Sequence, residues 1–482
     1  MHCPRRRPGR AQPRRPEPPS LSHVNDPACL SLVELLPLLA SRELSARELV
    51  QACLARVALA EPLVQAFVTL TPDLALAAAE RADQSRALRR PVGPLAGVPV
   101  ALKDLYLTRG TATTASSRVL AGHDPGVDAA VWERLSAAGA GLLGKTTTHE
   151  FAYGTDSRPT RNPWDTRRTP GGSSGGSGAA LAARMVPIAT GTDTGGSLRI
   201  PAAACGVSAL RAAHGRISAY GVLPLAPTLD AVGPMARRML DVALLLRLLA
   251  GYDPRDPYSR GEPVPDYPRT APRDLTGVRV GLPLDLQWAG ADEQLAELCR
   301  GGLQTLVDRG ATLVEIASPM GSSQVLEAYA TVSGAEARHV HRELISAREL
   351  YTPQVLGRLL DGEGTSAADY LDARRLCQLW VQQWRDLLRH ARLDAVAHPA
   401  LDQAPQVVDP DGPARGPSTR LSLPWSLAGF PALSVPVGLD VRGLPVGLSL
   451  AGLPEHEAQL VGLGALVDEQ VALWRREPAP VR

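Results

Sequence analysis

Apolar positions recur at helical spacing from Leu30 to Leu54, and Ser45-Ala-Arg-Glu48 inside that stretch has the form of a capping box. The pattern predicts a helix that restarts at Ser45. Leu74 to Leu88, rich in alanine, predicts another helix. The texture then changes: Gly97-Val-Pro-Val-Ala-Leu-Lys103-Asp104 is a short apolar run ending in two charges, as a buried strand emerging at its C-terminal end would be. Val127 to Ala138 predicts an amphipathic helix stopped by Gly139, and Ala140 to Lys145 the next strand. Ala179 to Arg184 reads as a helix, Val186 to Thr190 as a strand, and Gly191 to Ser197 as the turn after it. Tyr252 to Arg273, dense in proline and charge, reads as a surface connection. Val278–Leu282, Asp394–His398, Ala432–Pro436 and Leu444–Leu450 read as further strands, with helices through the middle of the chain. This alternation predicts an α/β layered fold, and the late strands are expected to close the same sheet.

Composition narrows the function classes. With 44% apolar and 21% charged residues and a net charge of +2, the chain has globular balance and nothing that calls for nucleic acid. The first twenty residues carry six arginines, six prolines and one acid, Glu17. Proline at that density opposes helix and sheet, so residues 1–26 are expected to be a disordered basic tail or the product of an upstream start codon. The longest apolar run, Met239 to Ala250, is interrupted by Asp241 and Arg247 and is too short to span a bilayer. The six cysteines include no CxxC pair, which argues against a disulfide framework or structural zinc and makes a reducing cytoplasm the default. His339 and His341 form a lone HxH, expected to lie on a polar helix face.

Two glycine-rich serine loops close together are the chain's most unusual feature: Gly171-Gly-Ser-Ser-Gly-Gly-Ser-Gly178 and Gly191-Thr-Asp-Thr-Gly-Gly-Ser197. Both are flanked by apolar runs, so neither is a flexible linker, and neither matches a phosphate-binding GxxxxGK[ST]. In Thr194-Gly195-Gly196-Ser197 consecutive N–H groups would converge as an anion-binding nest. Acyl transfer needs such a hole for its oxyanion, one donor being worth on the order of 10²–10³ in rate. A serine ending the nest is a nucleophile once a base takes its proton. His149 and His214 are the nearest histidines in sequence, and Lys103 at the end of an apolar strand is the alternative, its proton affinity lowered by burial. The residues alone leave that choice open.

The stretch Pro170–Gly178 followed by Gly191-Thr-Asp-Thr-Gly-Gly-Ser-Leu-Arg-Ile-Pro201 resembles the amidase signature family. Gly93–Asp104 resembles its lysine segment, Leu142–Phe151 and Thr160–Pro163 its connecting loops. Ala219–Ala226, Asp230–Pro234, Pro431–Val437 and Gly443–Leu448 continue the likeness, which covers most of residues 30–475. The resemblance implies a single large domain, 27–476, with a mixed sheet covered by helices on both faces, and a short tail, 477–482. It implies a Ser–Ser–Lys triad: Ser197 as acylated nucleophile, Ser173 as proton relay following a cis peptide from Gly172, and Lys103 as neutral base. Ser173 and Ser197 stand 24 apart, the family's spacing, which selects Ser173 over Ser174 or Ser177.

The implied reaction hydrolyses a carboxylic amide through an acyl-enzyme, with Thr194, Gly195 and Gly196 holding the substrate oxyanion and no metal or organic cofactor. Asp193 and Arg199 are expected to brace the loop. The implied partner is a small-molecule amide, with no nucleic acid and no membrane, and a homodimer is left open. One departure stands out: where the family commonly carries Leu-Lys-Pro-Thr, this chain reads Leu210-Arg-Ala-Ala-His-Gly215. That difference counts against the alternative reading, the A subunit of a glutamine-dependent aminoacyl-tRNA amidotransferase. A catalytically silent binding protein is the third reading. The pocket is expected to be shaped by Phe151–Asp156 and parts of 320–420, with Tyr153 either a wall or a core aromatic.

Overall fold

Strand formation follows burial. Pro99–Lys103 (β2), Gly141–Thr146 (β3) and Ile188–Asp193 (β4) are buried at every position, the signature of strands covered on both faces rather than one. The computed structural model describes residues 26–269, 274–412 and 415–479. With Phe67–Leu70 (β1), Ser208–Arg211 (β5), Ala231–Ala236 (β6), Arg279–Pro283 (β7), Thr312–Ile316 (β8), Ala395–Pro399 (β9), Ala432–Leu439 (β10) and Pro445–Ala451 (β11), they form one mixed sheet. Its order is β1-β3-β2-β4-β6-β5-β10-β11-β9-β7-β8. Helices cover both faces, and the late strands join the same sheet as expected. The expected tail lies outside the described residues except for Asp26, which caps the turn at Pro27–Cys29.

Several elements begin or end elsewhere than the sequence predicts. The helix expected at Ala179 starts at Gly175 and runs to Ala182, so the first glycine-rich loop is half helix. The strand expected to stop at Thr190 continues to Asp193. In both cases glycine, which ordinarily punctuates structure, is there because a side chain would not fit. A Cβ on Gly176 would meet the backbone of Ala66 and Thr147 at 2.5 and 2.6 Å.

Strands β1, β5, β6 and β8 carry no clear sequence signal. In β6 the Gly233-Pro234 pair hides the strand. Pro234 is tolerated because the β5 pairing covers only Met235 and Ala236, so its missing N–H falls beyond that ladder. Among the helices, Ser45 caps Ala46–Val64 through the expected capping box. The long apolar run is the helix Met239–Leu249, and no helix of the described residues is long and apolar enough to cross a membrane.

The topology places the chemistry. β2 runs parallel to β3 and β4, so Lys103, Lys145 and Thr192 all emerge at one edge, where open α/β sheets bind ligands. The helices Gly175–Ala182 and Arg199–Cys205 pack beside each other, each preceded by one serine loop. Two further helices, Ser322–Val340 and Pro353–Glu363, supply the opposite wall. Behind them Trp380, Trp384 and Trp425 interlock edge to face, with ring centroids 5.7 and 4.7 Å apart.

Candidate active site

Lys103 ends β2 with no solvent exposure, and its Nζ lies 2.7 Å from both Ser173 Oγ and Thr192 Oγ1. Burial pushes its proton affinity down to about 7, against the pull of the Asp193 and Asp230 carboxylates, which favour the ammonium. A second buried lysine, Lys145, leaves the sheet beside it. Its Nζ donates to Tyr106 O and Thr113 Oγ1 and lies 3.5 Å from Asp104 Oδ1, facing away from the serines.

Of the three serines in the first loop, Ser173 alone meets Lys103. Ser174 bridges the N–H and C=O of Thr192, and Ser177 donates to Thr190 O at 2.8 Å. The Gly172–Ser173 peptide is cis. Ser173 O is fixed by the Ser157 hydroxyl and the His149 N–H. The two serine loops touch where Ser174 N donates to Ser197 O at 3.2 Å. The Ser197 hydroxyl has no hydrogen-bond partner among the described residues; the residue is 7% exposed and lines a cavity. The sequence-derived residues Lys103, Ser173 and Ser197 thus converge, with the last hydroxyl unlinked.

The second loop is organised by Asp193. Its carboxylate accepts the N–H groups of Gly196 (2.8 Å) and Leu198 (3.2 Å), two bonds from Arg199 (3.0 and 2.9 Å), and the Ser426 hydroxyl. Burial would raise its proton affinity, but Arg199 and Arg211 hold it well below the usual carboxylate range. Arg211, at the position where the family commonly has lysine, donates to the backbone carbonyls of Asp193, Leu229 and Ser426. Its planar fork reaches three segments at once. The expected brace of Asp193 and Arg199 is therefore present, and larger than two residues. Gly196 adopts φ +130°, the Ser422 hydroxyl occupying the space a Cβ would need. That hydroxyl donates to Gly195 O at 2.7 Å.

Thr194 donates its hydroxyl to Asp230 Oδ1 at 2.5 Å, and Asp230 Oδ2 accepts the N–H groups of Leu225 and Ala226. Burial pushes the Asp230 carboxyl up to about 6. In front of Ser197 the cavity measures about 670 Å³ and is walled by Tyr153, Thr194, Gly195, Tyr329 and Arg358. Tyr153 is thus a wall, and both stretches expected to shape the pocket contribute. Neither histidine reaches Ser197: His149 Nδ1 bonds Asp156 O and His214 Nε2 bonds Pro227 O. His341 is buried against Phe151 and Tyr351 instead of sitting on a polar face, while His339 is exposed. Among the described residues no three His, Cys, Asp or Glu side chains are grouped to hold a metal ion.

Thr192 and Asp230 lie in or beside the motifs the sequence displays, yet nothing in their spacing announces a role. Tyr329, Arg358 and Ser422 carry no local signal at all, because only the fold brings them here.

Fold and site together define an amide-cleaving hydrolase of the α/β class. The chain belongs to the amidase signature family: the family model described as Amidase matches residues 48–461. The A subunit of the glutamyl-tRNA(Gln) amidotransferase from Chloroflexus aurantiacus is 41% identical over 459 residues, covering 88% of this chain and 93% of that protein. A bacterial aryl acylamidase of the same family superposes with a TM-score of 0.86 at 25% identity, covering 93% and 98% of the two chains. The A subunit of the Thermotoga maritima glutamyl-tRNA(Gln) amidotransferase gives 0.78 at 28% identity, covering 92% and 95%.

Proposed function

We propose that this chain hydrolyses a small carboxylic amide to its acid and ammonia or amine through an acyl-enzyme on Ser197, with Ser173 and Lys103 carrying the proton. The observation that supports it most is the 2.7 Å contact between a solvent-free Lys103 Nζ and Ser173 Oγ, beside a cavity that Ser197 lines. Neutral Lys103 takes the Ser173 proton as Ser173 takes that of Ser197. The Ser197 oxygen bonds the carbonyl carbon, whose π pair moves onto oxygen. The tetrahedral intermediate then expels the amine, which leaves with the relayed proton. Water then repeats the sequence: its proton passes through Ser173 to Lys103 as its oxygen bonds the ester carbon, and the proton returns to the Ser197 oxygen as the acid leaves. The Ser173–Ser197 link closes in this step; such bonds are commonly loose before substrate binds.

Thr194 and Gly195, which line the cavity, are read as oxyanion holders with the Ser197 N–H. Gly196 serves that hole by shape, its own N–H being engaged by Asp193. Residues 27–476 are read as one catalytic domain. A reducing cytoplasm is the proposed setting, supported by five unpaired cysteines among the described residues.

A second reading has the same chemistry and a different role: the A subunit of a glutamine-dependent amidotransferase, releasing ammonia for sister subunits. The curated relatives favour it for the whole protein, outweighing the Arg211 departure, whereas the solved structures with this fold include both kinds. Assay of the purified single chain on a library of simple amides and on glutamine separates the two. Turnover of simple amides without ATP, tRNA or other subunits supports the free-standing amidase; glutamine deamidation that requires added subunits supports the other. Under both readings Ser197→Ala abolishes turnover, and mass spectrometry of the trapped intermediate finds the acyl group on Ser197. An acyl group on Ser173, or activity surviving in Ser197→Ala, rejects the triad as assigned.

A further inference from the structure

Ala152 and Leu225 line the reaction cavity on one side and, on the other, a second chamber of about 220 Å³. Its walls are apolar, built by Leu105, Val222, Leu223, Pro224 and Val232, and two buried or half-buried polar residues, Thr192 and Asp230, complete them. Ser197 and Lys103 line neither this chamber nor its mouth.

The charges at the mouth are already engaged. Arg255 forks onto both oxygens of Glu133 and both of Asp253 and lies over the Tyr220 ring at 4.1 Å. Asp256 accepts the N–H groups of Ala219 and Tyr258. An ionic ligand therefore finds no counter-charge here, and a carboxylate would also face Asp230. Size points the same way, since an apolar cavity of roughly 150 Å³ holds benzene and this one leaves room for a substituent.

The polar pair specifies that substituent. Thr192 Oγ1 receives a hydrogen bond from Lys103, while its own hydroxyl hydrogen has no acceptor among the described residues. Asp230 takes one donor on Oδ1 and two on Oδ2, and a carboxylate offers about four acceptor positions. One donor and one acceptor position are thus open, and a hydroxyl group fills both. We propose that this chamber is a binding site for a neutral single-ring phenol, separate from the amide-cleaving cavity and resting on the two residues that contact Lys103 or set its charge balance.

The probe is p-cresol, titrated into protein labelled at Leu and Val methyl groups and followed by NMR. Saturable shifts and intermolecular NOEs are expected at Val222, Leu223 and Leu225, and equally in Ser197→Ala, so the result stands apart from the assignment of the triad. Toluene, lacking the hydroxyl, is expected to bind at least about tenfold more weakly, and benzoate not to bind. Filling the chamber by Val222→Trp or Ala219→Phe is expected to weaken p-cresol about tenfold or more, with thermal denaturation confirming which variant is folded. In kinetics, p-cresol should change kcat without competing for the amide. Absence of saturable shifts, NOEs confined to the reaction cavity, competitive inhibition, toluene equal to p-cresol, or wild-type affinity in both folded filler variants would each overturn the site.

Discussion

Two carboxylates and burial compete over the proton of Lys103. Burial dominates, bringing the amine to about 7, while Asp193 and Asp230 favour the ammonium. The proposed relay needs the neutral amine. Activity is therefore present above that pKa and lost as pH falls through it, and kcat/KM is expected to rise along a limb centred near about 7. Asp230 titrates close by, at about 6, so its ionisation falls on the same wild-type limb. Asp230→Asn deletes one of the charges that stabilise the ammonium, and the limb should move to lower pH and follow a single ionisation. A pH–rate profile of the variant checks the sign: an upward displacement contradicts the electrostatic account. Phenol binding in the adjoining chamber is the other residue-scale expectation, read by methyl NMR.

Among the elements, the helix Gly175–Ala182 lies against the backbone flanking β1 and β3 because its second residue has no side chain. Gly176→Ala would press a methyl into the backbone of Ala66 and Thr147. Backbone cannot step aside, so the variant is expected to lose about 1–3 kcal/mol of stability, seen as a lower denaturation midpoint, and to displace Ser173 and with it kcat. Unchanged stability and activity would show that the close approach is not required.

The same glycines explain what the sequence leaves illegible. β2, β3 and the helix begun at Ser45 follow from periodicity and capping alone. The start of the glycine helix, the last residues of β4 and the whole of β6 do not, because Gly191, Gly233 and Pro234 imitate turn signals where close packing needs them. For the site, the residues foresee Ser197 in a nest, and resemblance supplies Ser173 and Lys103. Tyr329, Arg358 and Ser422 are placed by tertiary structure, and no spacing in the chain leads to them.

At the scale of the whole molecule, the two ends of the described chain meet, Cys29 bonding Glu477 and Arg56 bridging Asp26 to Glu477, and one buried side chain gathers carbonyls from both. Arg184, 3% exposed, donates to the carbonyls of Cys29, Trp474 and Arg476 and pairs with Glu477 at 3.3 Å. Arg184→Ala leaves three inward carbonyls without that donor, an expected loss of about 2–4 kcal/mol. Limited proteolysis with mass spectrometry should find new cuts near both ends together; cuts at one end only would mean that the two segments are held independently. Long-range ties also govern the nucleophile loop. Arg199 donates to Ser422 O and Ser426 Oγ, and Ser422 fits against Gly196, across more than two hundred residues of chain. A ribosome releases the N-terminal part first, so a growing polypeptide displays Lys103, Ser173 and Ser197 long before the segment that shapes their loop exists. On the proposed chemistry the protein is silent through most of its own synthesis, and its amide-cleaving power switches on only when translation is nearly done.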